Sequence, residues 1–178
     1  MTKYAEEYVK YLIYFHTDRD FFECHEVLEE YWKGNPKSGF NKAWIGLIQV
    51  AVSTYHHRRN NIKGAHKMLD QALINLSADD LTQLGINSGV FLKMLQERKT
   101  HLEKNPKAPY SEMDIPIADP ELLKQCNDLC AKQGLQWGSI SNMYDEELIH
   151  KHSRRDRSEV INARLKELER RQASKESV

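Results

Sequence analysis

A histidine, a glutamate and a tryptophan occur at helical spacing near the N-terminus. His25, Glu29 and Trp32 stand at positions i, i+4 and i+7 of one segment, and this spacing aligns three side chains along one stripe of a helix. A helical wheel places His25 inside the apolar sector and Glu29 at its edge, whereas the other glutamates of the segment point to the opposite side. A carboxylate near a buried face is costly unless it is paired or bound to a metal. We therefore expect Glu29 to pair with another side chain or to bind a metal ion.

A second polar stripe interrupts the most apolar segment of the chain, for which we predict a helix over 42–59. Gln49, Ser53 and His56 stand at i, i+4 and i+7, and His57 lies about one position round from them. If this helix packs against the preceding one as an antiparallel pair, the two polar stripes approach each other.

Metal binding is the first chemistry that these stripes suggest. His25, Glu29 and His56 offer two imidazoles and a carboxylate, which are ligands of Zn²⁺ and of other divalent first-row ions such as Mn²⁺ or Fe²⁺. A three-ligand set with an open position is the catalytic type, so hydrolysis is a candidate activity. Gln49 would then orient a ligand or a water molecule, and Trp32 would form a wall of the pocket. The other side chains that we place behind the ligands or around the pocket are Ser53, His57, Arg19 and Arg58.

The same residues also fit a non-enzymatic protein-interaction module. A histidine on an apolar face is usually a hydrogen-bonded core residue, and a neighbouring glutamate then orients it. The stripe on the facing helix would complete a structural polar network that fixes how the helices pack. Arg19, with Arg58 or Arg59, can reach an anionic ligand at the pocket mouth or form surface salt bridges. Because such His/Glu spacing is common in helices, it leaves both hypotheses open.

The first stripe belongs to the first of two longer blocks, which together form a fairly specific combination of residues. The first block is Arg19-Asp20-Phe21-Phe22 with His25, Glu29 and Trp32. The second block is Gly46 to Ala51 followed by His56 to Asn61 with Gly64-Ala65. Over about residues 8–76 this combination resembles the domain-of-unknown-function 309 family. The resemblance implies an all-helical, bacterial or archaeal protein whose His-x-x-x-Glu-x-x-aromatic motif, for which metal binding has been proposed, falls on His25, Glu29 and Trp32. The chain departs from the family pattern at Asn61, where a glycine is common.

The composition indicates an intracellular globular protein. Acidic and basic residues balance at 26 each in 178 residues, so no global field favours nucleic acid or anionic lipid. The longest apolar run is far shorter than a membrane span needs, and no secretory signal peptide is visible. Three unclustered cysteines are typical of free thiols in a reducing compartment. We therefore expect a cytoplasmic protein that contacts neither membranes nor nucleic acid.

Helical periodicity throughout the chain predicts an all-α fold. We expect a bundle of about five helices over 1–104 that carries the motif, followed by a proline-punctuated connector and a helical C-terminal extension over 105–178. In the extension, Asp119 and Pro120 predict the start of a helix that ends before Gly134.

The last predicted helix, over 158–172, is rich in charge. Bases and acids are interleaved in it, which favours a solvated, ion-paired helix over one that grips nucleic acid. It still carries an apolar stripe, formed by Val160, Ile161, Leu165 and Leu168. This stripe can dock on its own bundle, on a second copy of the chain or on another protein, so a protein partner or a homo-oligomer is expected through the extension.

Overall fold

The chain is helical throughout most of the part that the structure describes. The computed structural model describes residues 3–154 and 158–176, and it confirms the predicted all-α fold. Its helices are α1 (Glu6–His16), α2 (Phe21–Gly34), α3 (Asn41–Arg58), α4 (Ile62–Asn75), α5 (Ala78–Gln83), α6 (Ser88–Lys104), α7 (Pro120–Gln133), α8 (Glu146–Ile149), α9 (Lys151–Arg154) and α10 (Ser158–Glu176). Across the described ranges, no helix combines the length and the apolarity needed to cross a membrane.

Local capping residues set several of the helix ends. The Asp20 side chain accepts a hydrogen bond from the backbone N–H of Glu23 at the start of α2, and Asn61 does the same for Gly64 at the start of α4. These bonds satisfy N–H groups that have no partner within the helix. Gly134 ends α7 with a left-handed φ of 66°, which glycine adopts without steric cost.

Helices α2 and α3 form the antiparallel pair that the site hypothesis requires. Tyr31 near the end of α2 contacts Trp44 near the start of α3, with ring centroids 5.6 Å apart. At the other end, the Arg58 guanidinium lies 4.6 Å from the ring centroid of Phe21. Helix α3 also packs against α4, so most of its surface is buried, as its almost uniformly apolar sequence predicts.

The segment after residue 105 packs back on the bundle. One hydrophobic cluster joins the bundle to residues of the connector and of α7, namely Ala108, Met113, Ile115, Leu122, Cys126 and Cys130. Backbone N–H groups of Ile115 and Gly138 donate to the Nε2 atom and the carbonyl oxygen of His16, each at 2.8 Å. The division of the chain near residue 105 into two parts stays a prediction, and the second part contributes directly to the core of the first.

Candidate functional site

A pocket of about 200 Å³ lies between α2 and α3, beside α9. Its base and walls are formed by apolar and aromatic side chains, which are those of Phe21, Phe22, Val52 and Tyr55. Its polar lining consists of His25, His56, Arg59 and His152. Two of the three residues predicted to ligate a metal therefore reach one pocket, because the helices that carry them are antiparallel neighbours.

His25 lies at the edge of the buried face of α2 rather than inside it. The buried stripe is formed by Phe21, Cys24 and Leu28, and His25 is one position round from it, with 31% of its side chain exposed. Its Nδ1 atom lies 3.0 Å from Oε1 of Glu26. The helical wheel turned Glu26 away from the site, but the flexible glutamate side chain bends back to the neighbouring imidazole.

Glu29 stands outside the pocket. Its Oε2 atom is 3.9 Å from Nε2 of His25, and its Oε1 atom is 3.1 Å from Nζ of Lys33. Glu29 is thus a partly exposed member of a surface ion pair rather than an inward-facing carboxylate. Trp32 is partly buried against the core and is not among the pocket-lining residues, so it does not form the pocket wall that the sequence suggested.

His56 is half-buried on the opposite wall of the pocket. The Asn61 amide donates to its Nδ1 atom at 3.2 Å. Burial, together with the nearby charge of Arg59, lowers the pKa of His56, so the imidazole is neutral at physiological pH. In the described part of the chain, no group of three or more His, Cys, Asp or Glu side chains is placed to hold a metal ion.

The remainder of the second stripe faces α4 instead of the pocket. The Asn75 amide donates to Oε1 of Gln49 at 2.9 Å, and Ser53 Oγ donates to the carbonyl oxygen of Ala65 at 2.7 Å. Both bonds join α3 to α4. For Gln49 and Ser53 the geometry therefore matches the structural polar network of the second hypothesis.

Three further predicted pocket residues bind the segment that follows residue 105. His57 Nε2 lies 3.1 Å from the carbonyl oxygen of Ala108, and burial lowers the pKa of His57. Arg19 and Arg58 are only 1% and 4% exposed. Arg58 Nη1 donates to the carbonyl oxygen of Arg19 and to Oγ of Ser141. Segments that follow residue 105 cover both guanidinium groups, so neither arginine lines the pocket. Arg19 nevertheless forms an ion pair, with Asp114 at 2.7 Å.

Arg59 is the arginine that the fold presents to the pocket. Its guanidinium lies 5.2 Å from the Tyr55 ring centroid, and its Nε atom donates to Nδ1 of His150 at 3.4 Å. Adjacent side chains on a helix point about 100° apart. Arg58 and Arg59 therefore lie in different environments, although they are neighbouring residues of the same type.

His152 is a pocket residue that sequence reasoning missed. Its backbone N–H donates to the Tyr55 hydroxyl at 3.1 Å, and that hydroxyl lies 2.6 Å from the Nδ1 atom of His152. The preceding Lys151 pairs with Asp20 and Glu23 at 2.7 and 2.9 Å. These contacts fix α9 against α2 and α3, so a segment far away in sequence completes the pocket.

Comparisons with known proteins cover the bundle and the extension. A family model described as "Domain of unknown function (DUF309)" matches residues 8–68. The uncharacterized protein YpuF of Bacillus subtilis (strain 168) is 39% identical over 175 residues, which are 97% of this chain and 99% of YpuF. The chain belongs to the DUF309 family. The DUF309 match contains every pocket-lining residue except His152, and the match to YpuF runs on through the segment that supplies His152.

A second relative matches a shorter stretch. An uncharacterized protein of Aquifex aeolicus (strain VF5) is 30% identical over 78 residues, which are 44% of this chain and 23% of that protein. No solved structure gives a significant match to the DUF309 chain. The family resemblance inferred from the motif blocks is thus confirmed, whereas the chemistry of the pocket must be argued from its own residues.

Proposed function

We propose that the pocket between α2 and α3 binds a small ligand with an apolar body and an anionic group. The observation that carries this proposal is the guanidinium of Arg59 beside an aromatic pocket. Among the lining residues that the structure describes, none bears a carboxylate. An apolar cavity with a few convergent polar groups is the usual form of a small-molecule site.

The size of the pocket limits the ligand. Drug-sized ligands occupy pockets of roughly 300–1,000 Å³, whereas this pocket measures about 200 Å³. A short aliphatic or monocyclic aromatic acid is therefore the class that fits. Its ring or chain would lie against Phe22 and Val52, and its anionic group would face the guanidinium of Arg59.

Loss of the Arg59 charge is expected to weaken the binding of benzoate, which we choose as a probe of this class. A hydrogen bond to a charged group contributes about 1.5–3 kcal/mol, so Arg59→Gln should raise the Kd for benzoate roughly 10- to 100-fold. Isothermal titration calorimetry on the full chain measures this change. Arg154→Gln is the matched control, because Arg154 is exposed and does not line the pocket, and its Kd should equal that of the wild type.

A neutral analogue of benzoate tests whether the pocket recognises the negative charge or only the apolar body of the ligand. Benzyl alcohol has a similar body without the charge, so it should bind to the wild type more weakly than benzoate does. Its Kd for Arg59→Gln should equal its Kd for the wild type. Equal affinity of the wild type for the two probes, or an unchanged Kd for benzoate in Arg59→Gln, would refute the anion-binding proposal.

The divalent-metal site at His25, Glu29 and His56, with its hydrolytic activity, stays a prediction. If it is correct, Zn²⁺, Mn²⁺ or Fe²⁺ raises the Tm of the wild type, because a ligand that binds only the folded state stabilises it. His25→Ala and Glu29→Gln should then abolish the shift, as differential scanning fluorimetry of tag-free protein can measure. A Tm that none of these ions changes would overturn the metal hypothesis and leave the anion-binding proposal intact.

A further inference from the structure

Helix α10 presents an apolar stripe to solvent. Ile161, Leu165 and Leu168 are 52%, 53% and 54% exposed, and the spacings between them are four and three residues. This spacing matches that of the seam of a two-stranded coiled coil, in which apolar residues repeat every 3.5 positions on average. Large apolar side chains aligned in this way are removed from water when a second helix covers them.

The heptad register places opposite charges on the two flanks of the stripe. With Leu165 at position a, Ile161 and Leu168 occupy d, Arg164 occupies g and Glu169 occupies e. In a parallel pair of helices, residue g of one helix meets residue e of the following heptad on the other helix. Arg164 of one copy therefore meets Glu169 of a second copy, and two-fold symmetry forms this ion pair twice.

The same register disfavours an antiparallel pair. In that orientation g positions face g positions and e positions face e positions. Arg164 and Arg171 both occupy g, so basic side chains would lie opposite one another. Like charges across an interface select against the wrong arrangement.

We propose that α10 pairs in parallel with α10 of a second copy of this chain and so makes the protein a dimer through a short coiled coil. The proposal does not rest on the pocket, since α10 supplies none of the pocket-lining residues. The seam contains three apolar side chains from each copy, so the dimer dissociates on dilution.

Sedimentation equilibrium of the full chain tests the pairing. The wild type is expected to change from monomer to dimer as its concentration rises, and Leu165→Glu is expected to stay monomeric because it buries a carboxylate in the seam. Ala163→Glu is the matched control, since position 163 is at f, on the outer side of the helix, and this variant should dimerise like the wild type.

A charge exchange tests the parallel orientation. Arg164→Glu alone should weaken the dimer, because it places two glutamates opposite each other, and adding Glu169→Arg should restore it. Oxidised Ile161→Cys should form a disulfide between equivalent positions, which only the parallel register brings together.

Three results would overturn the proposal. The first is a wild type that stays monomeric up to millimolar concentration. The second is a dimer that Leu165→Glu leaves intact. The third is a wild-type monomer whose Tm falls in Leu165→Glu but not in Ala163→Glu, which would mean that α10 docks on its own bundle.

Discussion

Replacing Arg19 by methionine is expected to lower the free energy of unfolding by about 3–5 kcal/mol. The Arg19 guanidinium is buried and donates to the carbonyl oxygens of Phe15, Met113 and Ser139. It also donates to Oδ1 of Asp114 at 2.7 Å. Methionine fills similar space but offers no donor, so three carbonyl groups lose a partner, and each buried group left unpaired costs about 1–3 kcal/mol. Urea unfolding monitored by circular dichroism measures the change.

A surface arginine serves as the control for this substitution. Arg154 has 45% of its side chain exposed and pairs with Glu146 and Glu147 at 3.4 and 3.3 Å. Exposed pairs of this kind contribute less than about 1 kcal/mol, so Arg154→Met should lose far less stability than Arg19→Met. Equal losses in the two variants would show that Arg19 does not join the connector to the bundle.

Acidification from pH 6.5 to pH 4 is expected to destabilise the protein through His16. This imidazole is fully buried, lies 2.7 Å from the carbonyl oxygen of Leu12 and accepts the N–H of Ile115 on its Nε2 atom. It therefore donates through Nδ1 and is neutral. Burial lowers the pKa of His16 to about 4, whereas a histidine in an unfolded chain titrates near 6.5.

The sign of the pH effect follows from this difference. Above pH 6.5 the imidazole is neutral in both states. Between pH 6.5 and 4 the unfolded chain binds a proton that the folded chain excludes, so stability falls as the pH falls. The loss from this residue amounts to about 3 kcal/mol once the pH is below 4. Urea unfolding at a series of pH values measures it.

The variant His16→Gln isolates the contribution of His16 to the pH dependence of stability from the contributions of other titrating groups. A glutamine amide can donate to Leu12 and accept from Ile115 without titrating, so the variant should be less stable at neutral pH but lose less stability on acidification. Burial also lowers the pKa values of His56 and His57. Their contributions cancel when the pH dependence of the variant's unfolding free energy is subtracted from that of the wild type. His101→Gln, at an exposed position, should keep the wild-type pH dependence. If His16→Gln also keeps the wild-type pH dependence, His16 does not cause the loss of stability on acidification.

Arg19 and His16 show how the polar residues around the motif are used. Both lie between α1 and the segment after residue 105, and both bind backbone groups of an irregular connector that has no helical hydrogen bonds of its own. Buried backbone groups need partners, and in this fold charged and imidazole side chains supply them. Much of the polarity near the motif is therefore structural, whereas Arg59, His25 and His56 face an open pocket.

The longer helices and the family could be predicted from the residues alone, whereas the one-turn helices α8 and α9 were not predicted. Caps such as Asp20 and Asn61, and the stop at Gly134, act within one turn of chain, so their effect can be predicted without knowing the fold. The almost uniformly apolar sequence of α3 likewise predicts a helix whose surface is mostly buried. His25 and His56 line the same pocket because their helices are antiparallel neighbours. A short connection between two helices favours this arrangement, so it could be predicted.

The packing of distant segments determines which polar side chains are buried and which face the pocket. Arg58 and Arg59 are adjacent arginines with the same chemistry. Arg58 is covered by the segment after α7 that contains Ser141, whereas Arg59 lines the pocket. His152 reaches the pocket because ion pairs hold α9 against α2, and no local pattern encodes a contact across 97 positions. Periodicity reports the direction of a side chain about its own helix axis, whereas burial and partners depend on what packs against that helix, which is a property of the whole fold.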